Sequence, residues 1–226
     1  MNLLILGRGK TGSLVAEVAT ERKHHVRVIS GAENKAAQAL TPELLAHVNV
    51  VIDFTTPEAV LENAIACVRA SKDIVVGTTG WYGELPRIRA MVEQKRTGFL
   101  YGSNFSIGVN LFFDAVKSAA DALRQGYIGQ IFERHHAQKK DAPSGTALAL
   151  QKTITEASGT ELEITSFREG DVVGMHEVIL DSPYDNIYLC HDAKSRRGFA
   201  EGAVRGAEWL VGQKGFFEFK QIWRQL

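Results

Sequence analysis

Asn2-Leu3-Leu4-Ile5-Leu6-Gly7-Arg8-Gly9-Lys10-Thr11-Gly12-Ser13-Leu14-Val15 follows the initial Met1. Asn2–Leu6 reads as a short strand, and Leu14, Val15, Val18 and Ala19 then recur on one face of a helix. Between the two, Gly7-Arg8-Gly9-Lys10-Thr11-Gly12 fits G-x-G-x-x-G. The hexapeptide alone is weak evidence, but here it joins a strand to a helix. Its glycines then allow a tight turn and let the backbone approach a pyrophosphate held at the helix N-terminus. Lys10-Thr11 suggests a phosphate loop, yet G-x-x-x-x-G-K-[ST] is not met. The stretch therefore reads as a dinucleotide loop at the end of a first strand.

The next ninety residues continue in the same style. His25–Ser30, the almost wholly apolar Val48–Phe54, Asp73–Val76 and Gly98–Tyr101 are strand candidates. Helical stretches separate them, one launched by Thr56 as N-cap with Pro57 at the first position, another ending near Lys95. Strand–helix alternation with short connections means a parallel, doubly wound sheet of Rossmann type. Beyond Asn104 the rhythm changes. A helix is expected over Gly108–Leu123, a strand over Ile128–His135 and a helix over Thr146–Ala157. Leu162–Phe167, Asp171–Leu180 and Asn186–His191 are then strand-like without helices between them, which implies a second α+β domain with a mixed or antiparallel sheet. Phe199–Val211 is helical and is expected to return to the first domain. The expected division is a dinucleotide-binding domain, 1–105 completed by 195–226, and a substrate-binding and oligomerisation domain, 106–194.

Composition narrows the function. Lys and Arg number 26 against 26 Asp and Glu, so there is no basic surplus for displacing phosphate counterions and nucleic acid is not the expected partner. No apolar run approaches the roughly 20 residues of a membrane span. With no basic leader ahead of the first strand, the chain reads as soluble and cytoplasmic. Cys67 and Cys190 match no metal or redox spacing and read as buried small hydrophobes. The chain carries 21 glycines against 5 prolines, and the glycines gather at strand ends, where open α/β sheets bind ligands.

The candidate cofactor residues follow from those ends: Gly7, Arg8, Gly9, Lys10, Thr11 and Gly12; Ser30; Gly77, Thr78 and Thr79; and Gly102, Ser103, Asn104 and Phe105. Phe105 either walls a nicotinamide or packs in the core. The acidic residue that closes strand two in many such folds is missing, because the strand ends Val28-Ile29-Ser30-Gly31. Glu33 lies three residues on and is an alternative. Without a carboxylate there, Arg8, Lys10 or Lys35 could pair with a 2′-phosphate, so NADPH is at least as plausible as NADH.

The densest cluster of reactive residues is Glu133-Arg134-His135-His136-Ala137-Gln138-Lys139-Lys140-Asp141-Ala142-Pro143-Ser144-Gly145-Thr146. Histidine titrates near neutrality and can give or take a proton. Gly145 and Thr146, at a helix start, offer backbone N–H groups to a carboxylate. Neighbouring histidines on a regular strand point to opposite faces, so both serve one site only if the strand ends or twists there. No metal is expected, since adjacent histidines without a nearby Cys or third His make a poor tetrahedral set.

This run, H-H-x-x-K-x-D-A-P-S-G-T, resembles the dihydrodipicolinate reductase (4-hydroxy-tetrahydrodipicolinate reductase) family of lysine and diaminopimelate biosynthesis. Further similarities, in order along the chain, are Asp53–Pro57, Gly77–Gly80, Asn104–Asn110, Gly170–Gly174 with His176, and Phe199–Arg205. The resemblance implies two domains joined by short hinges, and an NADH- or NADPH-dependent reduction with loss of water. It implies His135 as proton donor and acceptor, Lys139 as second donor, and His136, Lys139, Gly145 and Thr146 as holders of a dicarboxylate. It also implies a homo-oligomer.

The chain departs from the family pattern in a shorter glycine loop, the missing ribose acid, Met175 where a glutamate often stands, and a shorter segment between Ala157 and Phe167. These leave the cofactor preference, and tetramer against dimer, open. Competing readings are another two-domain nicotinamide oxidoreductase, such as one acting on aspartate, and a non-catalytic NAD(P)H sensor.

Overall fold

Leu3, Leu4, Ile5 and Leu6 are all shut away from water, although neighbouring residues of a strand point to opposite sides. That is possible only in a sheet covered on both faces. The computed structural model, which describes residues 1–226, contains such a sheet in the first of two units, Met1–Ile107 with Arg197–Leu226. Its strands are β1 (Asn2–Leu6), β2 (His25–Ile29), β3 (Val50–Asp53), β4 (Asp73–Val76) and β5 (Gly98–Tyr101), with a C-terminal strand Gly215–Glu218. All pair in parallel, in the order C-terminal strand, β5, β4, β3, β1, β2. The direction of chain progression reverses between β1 and β3, the point at which open α/β sheets take their ligands.

Each strand feeds two cores by alternation. Leu3, Ile5, Val50, Ile52, Val75 and Leu100 face helix α1 (Lys10–Glu21) and the C-terminal helix Arg197–Leu210. Leu4, Leu6, Val51, Ile74, Val76 and Phe99 face α2 (Pro42–Ala46), α3 (Pro57–Arg69) and α4 (Leu85–Lys95). The C-terminal helix lies close because two of its residues lack side chains. A Cβ on Gly202 would fall 1.7 Å from the Phe105 carbonyl oxygen, and one on Gly206 would fall 2.7 Å from Leu100 Cδ2.

Thr56 does cap α3 in position, but its side chain makes no capping hydrogen bond. The strand Gly215–Glu218 was not expected from the sequence. Four residues carry too little periodicity to read, and they become a strand only because β5 offers them an edge, Gly215 opposite Gly98 through Glu218 opposite Tyr101.

The second unit, Gly108–Arg196, holds most of α5 (Ile107–Ala119), then β6 (Ile128–His135), α6 (Gly145–Ser158), β7 (Ile164–Arg168), β8 (Met175–Asp181) and β9 (Asn186–Asp192). The sheet order is β7-β6-β8-β9, with β6–β7 parallel and the other two pairs antiparallel. One face packs on α5 and α6 through Ile131, Val178 and Leu180 against Phe112, Val116, Leu150 and Ile154. The opposite face is open, with Ile128 70% and Tyr188 62% exposed.

Cys190 lies on that open face and is exposed, which corrects the expectation that both cysteines are buried; only Cys67 is. A strand covered on one side alternates, and β9 does so residue by residue. The strand expected from Asp171 starts only at Met175. No helix is long and apolar enough to cross a membrane.

Candidate functional site

In the first unit a cleft of about 350 Å³ opens at the strand ends, lined by Gly9, Lys10 and Thr11 after β1, Phe54, Thr55 and Pro57 after β3, and Gly77, Thr78 and Thr79 after β4. The glycines of the loop have separate tasks. Gly7 adopts φ +104°, and a Cβ there would fall 2.2 Å from the Phe54 carbonyl oxygen. A Cβ on Gly12 would fall 2.2 Å from the Gly7 carbonyl oxygen, whereas nothing lies within 4 Å of the Cβ position on Gly9. Gly7 and Gly12 therefore close the turn, and Gly9 leaves space over the α1 N-terminus, whose first turn carries no acidic residue. An anion is favoured there by unsatisfied N–H groups and the helix dipole.

The floor of this cleft is fixed by a buried carboxylate. Asp53 accepts hydrogen bonds from Thr55 N (2.9 Å), Thr55 Oγ1 (2.6 Å), Thr78 Oγ1 (2.9 Å) and Asn63 Nδ2 (2.7 Å). Burial raises its pKa, against the pull of these four donors. Ser30 stands at the tip of β2, outside the cleft lining. Glu33 folds back onto it, its Oε2 accepting from Ser30 N (2.8 Å) and Ser30 Oγ (2.5 Å). The missing strand-end carboxylate is thus replaced in space by one from three residues further on, and hydrogen bonds from Ser30 lower its pKa.

Gly102 and Phe105 are accounted for by packing. The Phe105 ring is buried and lies 4.6 Å from that of Phe219, and a Cβ on Gly102 would meet Phe219 at 2.9 Å. Of the two readings of Phe105, the core is the one the side chain adopts. Ser103 is exposed, and Asn104 Oδ1 accepts from Ser106 N (2.9 Å) in a local turn. Arg8 is also exposed, its Nη2 reaching the Val28 carbonyl at 3.4 Å.

In the second unit β6 ends at His135, so His136 is released from the strand alternation that would otherwise set it opposite. Register brings the rest together: Glu133 pairs with Ser166 on β7 and with His176 on β8, and His135 pairs with Arg168. Glu133 is fully buried, and its Oε1 accepts from Arg168 Nη2 (2.7 Å) and from Ser144 N (3.1 Å) at the start of α6. Its Oε2 lies 3.2 Å from His135 Nδ1, without hydrogen-bond alignment, and 3.8 Å from His176 Nε2, beyond hydrogen-bond reach. Ser144 Oγ caps α6 through Ala147 N (3.2 Å) and lies 3.1 Å from His176 Nε2. Lys139 Nζ grips Asp141 at 2.7 and 2.8 Å, and Gly145 and Thr146 form the first turn of α6.

The charges follow from this packing. Burial alone would raise the Glu133 pKa, but the hydrogen bonds from Ser144 and Arg168 outweigh it and bring the value down to about 2. Burial pushes His176 down to about 4, with His135 adding to the effect and Glu133 opposing it. Burial also lowers His135, against the pull of Glu133 and with help from Lys139 and Arg168. The cluster at neutral pH is a fixed anion beside two neutral imidazoles.

Glu133, His135 and His176 bring their ligand atoms within 4.8 Å of one another. Arg168 already supplies the cationic partner of that carboxylate, and its charge opposes a metal ion at this point. Reading the sequence alone singled out His135, His136 and Lys139 but gave no part to Arg168 or Ser144, and none to Glu133 beyond its place in the run. The run around Glu133 pointed to the right strand, whereas Arg168, 35 residues away, has no local signal.

Two family models cover the chain: the N-terminal part of dihydrodipicolinate reductase matches residues 1–105, and its C-terminal part residues 108–223. A 4-hydroxy-tetrahydrodipicolinate reductase from Christiangramia forsetii is 35% identical over 98% of this chain and 97% of its own length. That of Chromobacterium violaceum is 39% identical over 77% of this chain and 73% of its own. Among solved structures, dipicolinate-bound dihydrodipicolinate reductase from Paenisporosarcina sp. TG-14 matches with a TM-score of 0.82 at 22% identity, over 98% of this chain and 99% of that one.

Proposed function

The chain belongs to the dihydrodipicolinate reductase family, and from that footing we propose how its residues divide the work. It is an NAD(P)H-dependent 4-hydroxy-tetrahydrodipicolinate reductase, forming tetrahydrodipicolinate with loss of water in lysine and diaminopimelate biosynthesis. The observation that supports this division of the work is that His135 ends β6 and the chain turns there, Lys139 N donating to the His136 carbonyl at 3.0 Å, ahead of the first turn of α6.

A reduced nicotinamide, when bound, supplies the hydride. The space above Gly9 and the uncommitted N–H groups of α1 suit its pyrophosphate, with Lys10, Thr11, Gly77, Thr78 and Thr79 around it. The Glu33 carboxylate at the β2 tip suits a ribose diol and repels a 2′-phosphate, which favours NADH. His136, Lys139 and the Gly145 and Thr146 amides hold the two carboxylates of the substrate. His135 delivers a proton to the electron density left by hydride addition, with Lys139 as second donor. Fixed cations and helix amides stabilise such an anion because they need no reorganisation as charge develops.

The open sheet face with Ile128, Phe167 and Tyr188 is more apolar than a free surface favours and supports a homo-oligomer, tetramer or dimer. A cytoplasmic location fits a biosynthetic enzyme of this kind. The test is to mix the protein with the fresh condensation product of pyruvate and aspartate semialdehyde and follow oxidation of NADH and NADPH. Oxidation that requires both substrate and protein is expected. Folded protein that oxidises neither cofactor refutes the activity.

A further inference from the structure

We propose that Glu133 is a positioning residue that keeps His135 Nδ1 protonated, so that the proton used in the reaction is the one on Nε2; this rests on the reductase reading above. Glu133 cannot drift, because Arg168 Nη2 and Ser144 N both hold its Oε1. Its Oε2 is buried without a hydrogen bond, and so is His135 Nδ1, 3.2 Å away. Two buried polar atoms left unmatched at that distance are an incomplete contact, and a small rotation of the imidazole completes it. Hydrogen bonds of this kind are often misaligned before ligands bind and tighten in the reactive complex. His176 is the weaker competitor for Oε2, at 3.8 Å and with Ser144 Oγ already 3.1 Å from its Nε2.

The other ring nitrogen faces bare backbone. A Cβ on Gly174 would lie 3.0 Å from His135 Nε2 and 3.2 Å from Cδ2, so the glycine keeps that edge of the ring unobstructed. The proton balance is then simple. Nε2 of the resting Nδ1–H tautomer first takes a proton from solvent, giving an imidazolium that faces the ionised Glu133. The Nε2–H bond then breaks as the substrate takes that proton, and the neutral imidazole remains with its Nδ1–H directed at Glu133. Solvent restores the Nε2 proton in the next cycle.

The groups that act on His135 are Glu133 and Asp141, which favour its charged form, and Lys139 and Arg168, which oppose it, with the His176 ring 5.1 Å away. Asp141 is engaged by Lys139, so Glu133 is the main anion that keeps His135 able to hold a second proton.

Long-range proton–nitrogen NMR of the ligand-free protein should show His135 as the Nδ1–H tautomer. In Glu133→Gln this preference should be lost and the pKa of His135 should fall. In turnover, Glu133→Gln should lose roughly 10- to 100-fold in kcat at neutral pH, part of the 10²–10⁴ that proton transfer contributes. Activity should return in part on acidification and in Glu133→Asp, with NADH affinity unchanged. An unchanged tautomer and pKa, or a kcat–pH profile of unchanged shape, overturns the proposal.

If Glu133→Gln does not fold, Arg168→Gln serves instead. It removes the cation beside the pair while Ser144 N still holds Glu133 Oε1, so the Nδ1–H tautomer of His135 must persist, and its loss overturns the proposal equally. The NMR result does not depend on turnover, so a correct tautomer in a protein that fails to reduce the substrate would refute the reaction and leave the positioning intact.

Discussion

Gly9 and Gly12 stand three residues apart in one loop, yet alanine should affect them in opposite ways. In Gly12→Ala the new methyl would lie 2.2 Å from the Gly7 carbonyl oxygen and 3.0 Å from its carbon. Gly7 cannot give way, because its amide is bonded to the Ile29 carbonyl at 2.9 Å and the Phe54 carbonyl oxygen occupies the space where a Cβ on Gly7 would stand. An overlap with backbone this close lies in the upper part of the overpacking range, about 2–3 kcal/mol, and the better helix propensity of alanine returns about 1 kcal/mol. The net loss of about 1–2 kcal/mol should lower Tm by roughly 2–8 °C for a chain of this length.

Gly9, by contrast, has φ −71° and ψ −179°, a conformation open to any residue, and nothing within 4 Å of its Cβ position. The loss of a good N-cap residue and the gain from a stiffer unfolded chain should cancel to within about 0.5 kcal/mol. The methyl would instead occupy the space into which a pyrophosphate descends, weakening NADH at least about tenfold, or about 1.4 kcal/mol. Thermal melts of the ligand-free variants and NADH titrations followed by tryptophan fluorescence separate the two effects. If Gly9→Ala binds NADH like the parent, the cofactor does not run against this loop. If Gly12→Ala melts like the parent, the turn is not as tight as its distances state.

Three further outcomes are expected. His135→Gln should lose about 10²–10⁴ in kcat with NADH affinity retained, whereas Lys139→Ala should impair both kcat and KM; loss of NADH binding in either would mean that the roles are wrongly divided. Glu33→Gln should weaken NADH by about tenfold without weakening NADPH, and an equal loss for both cofactors in paired kcat/KM measurements would rule out ribose reading by Glu33.

Acid should destabilise the protein in two steps. His176 titrates near 4 when folded and at its ordinary 6.5 when unfolded, so the unfolded chain takes up the proton first and stability falls from pH 6.5 to 4. Glu133 titrates near 2 when folded against an ordinary 4.5, so its contribution is complete above that ordinary value and is lost as pH drops toward 2. Each step is on the order of 3 kcal/mol. Urea unfolding against pH checks this, and His176→Asn should flatten the upper step; a flat profile in the parent between pH 6.5 and 4 would show that His176 is not buried in its neutral form.

Much of the nucleotide half was open to reading because its signals are local. Gly7, Gly9 and Gly12 encode a turn geometry within six residues, and Val50-Val51-Ile52 states by its unbroken apolar character that both faces of its strand are covered. The strand Gly215–Glu218 escaped, since its existence depends on the β5 edge and not on its own four residues. Cys190 was misplaced for a related reason: an apolar neighbourhood in sequence says nothing about which side of a one-faced sheet a residue takes.

By itself, then, the sequence determined the parallel sheet, the glycine cradle, and the run from His135 to Thr146 as the concentration of proton donors and cations. Those are properties of residue type and short spacing. Only the tertiary structure decided which of these groups are charged and what they face. Glu133 meets Arg168, Ser144 and His176 from three other segments, and burial, with hydrogen bonds set by strand register, fixes its anion and holds the neighbouring imidazoles neutral. Glu33 likewise reaches the β2 tip through a backbone turn that brings a carboxylate back to Ser30. Desolvation and cross-strand contact depend on positions in space, and those exist only once the chain has folded.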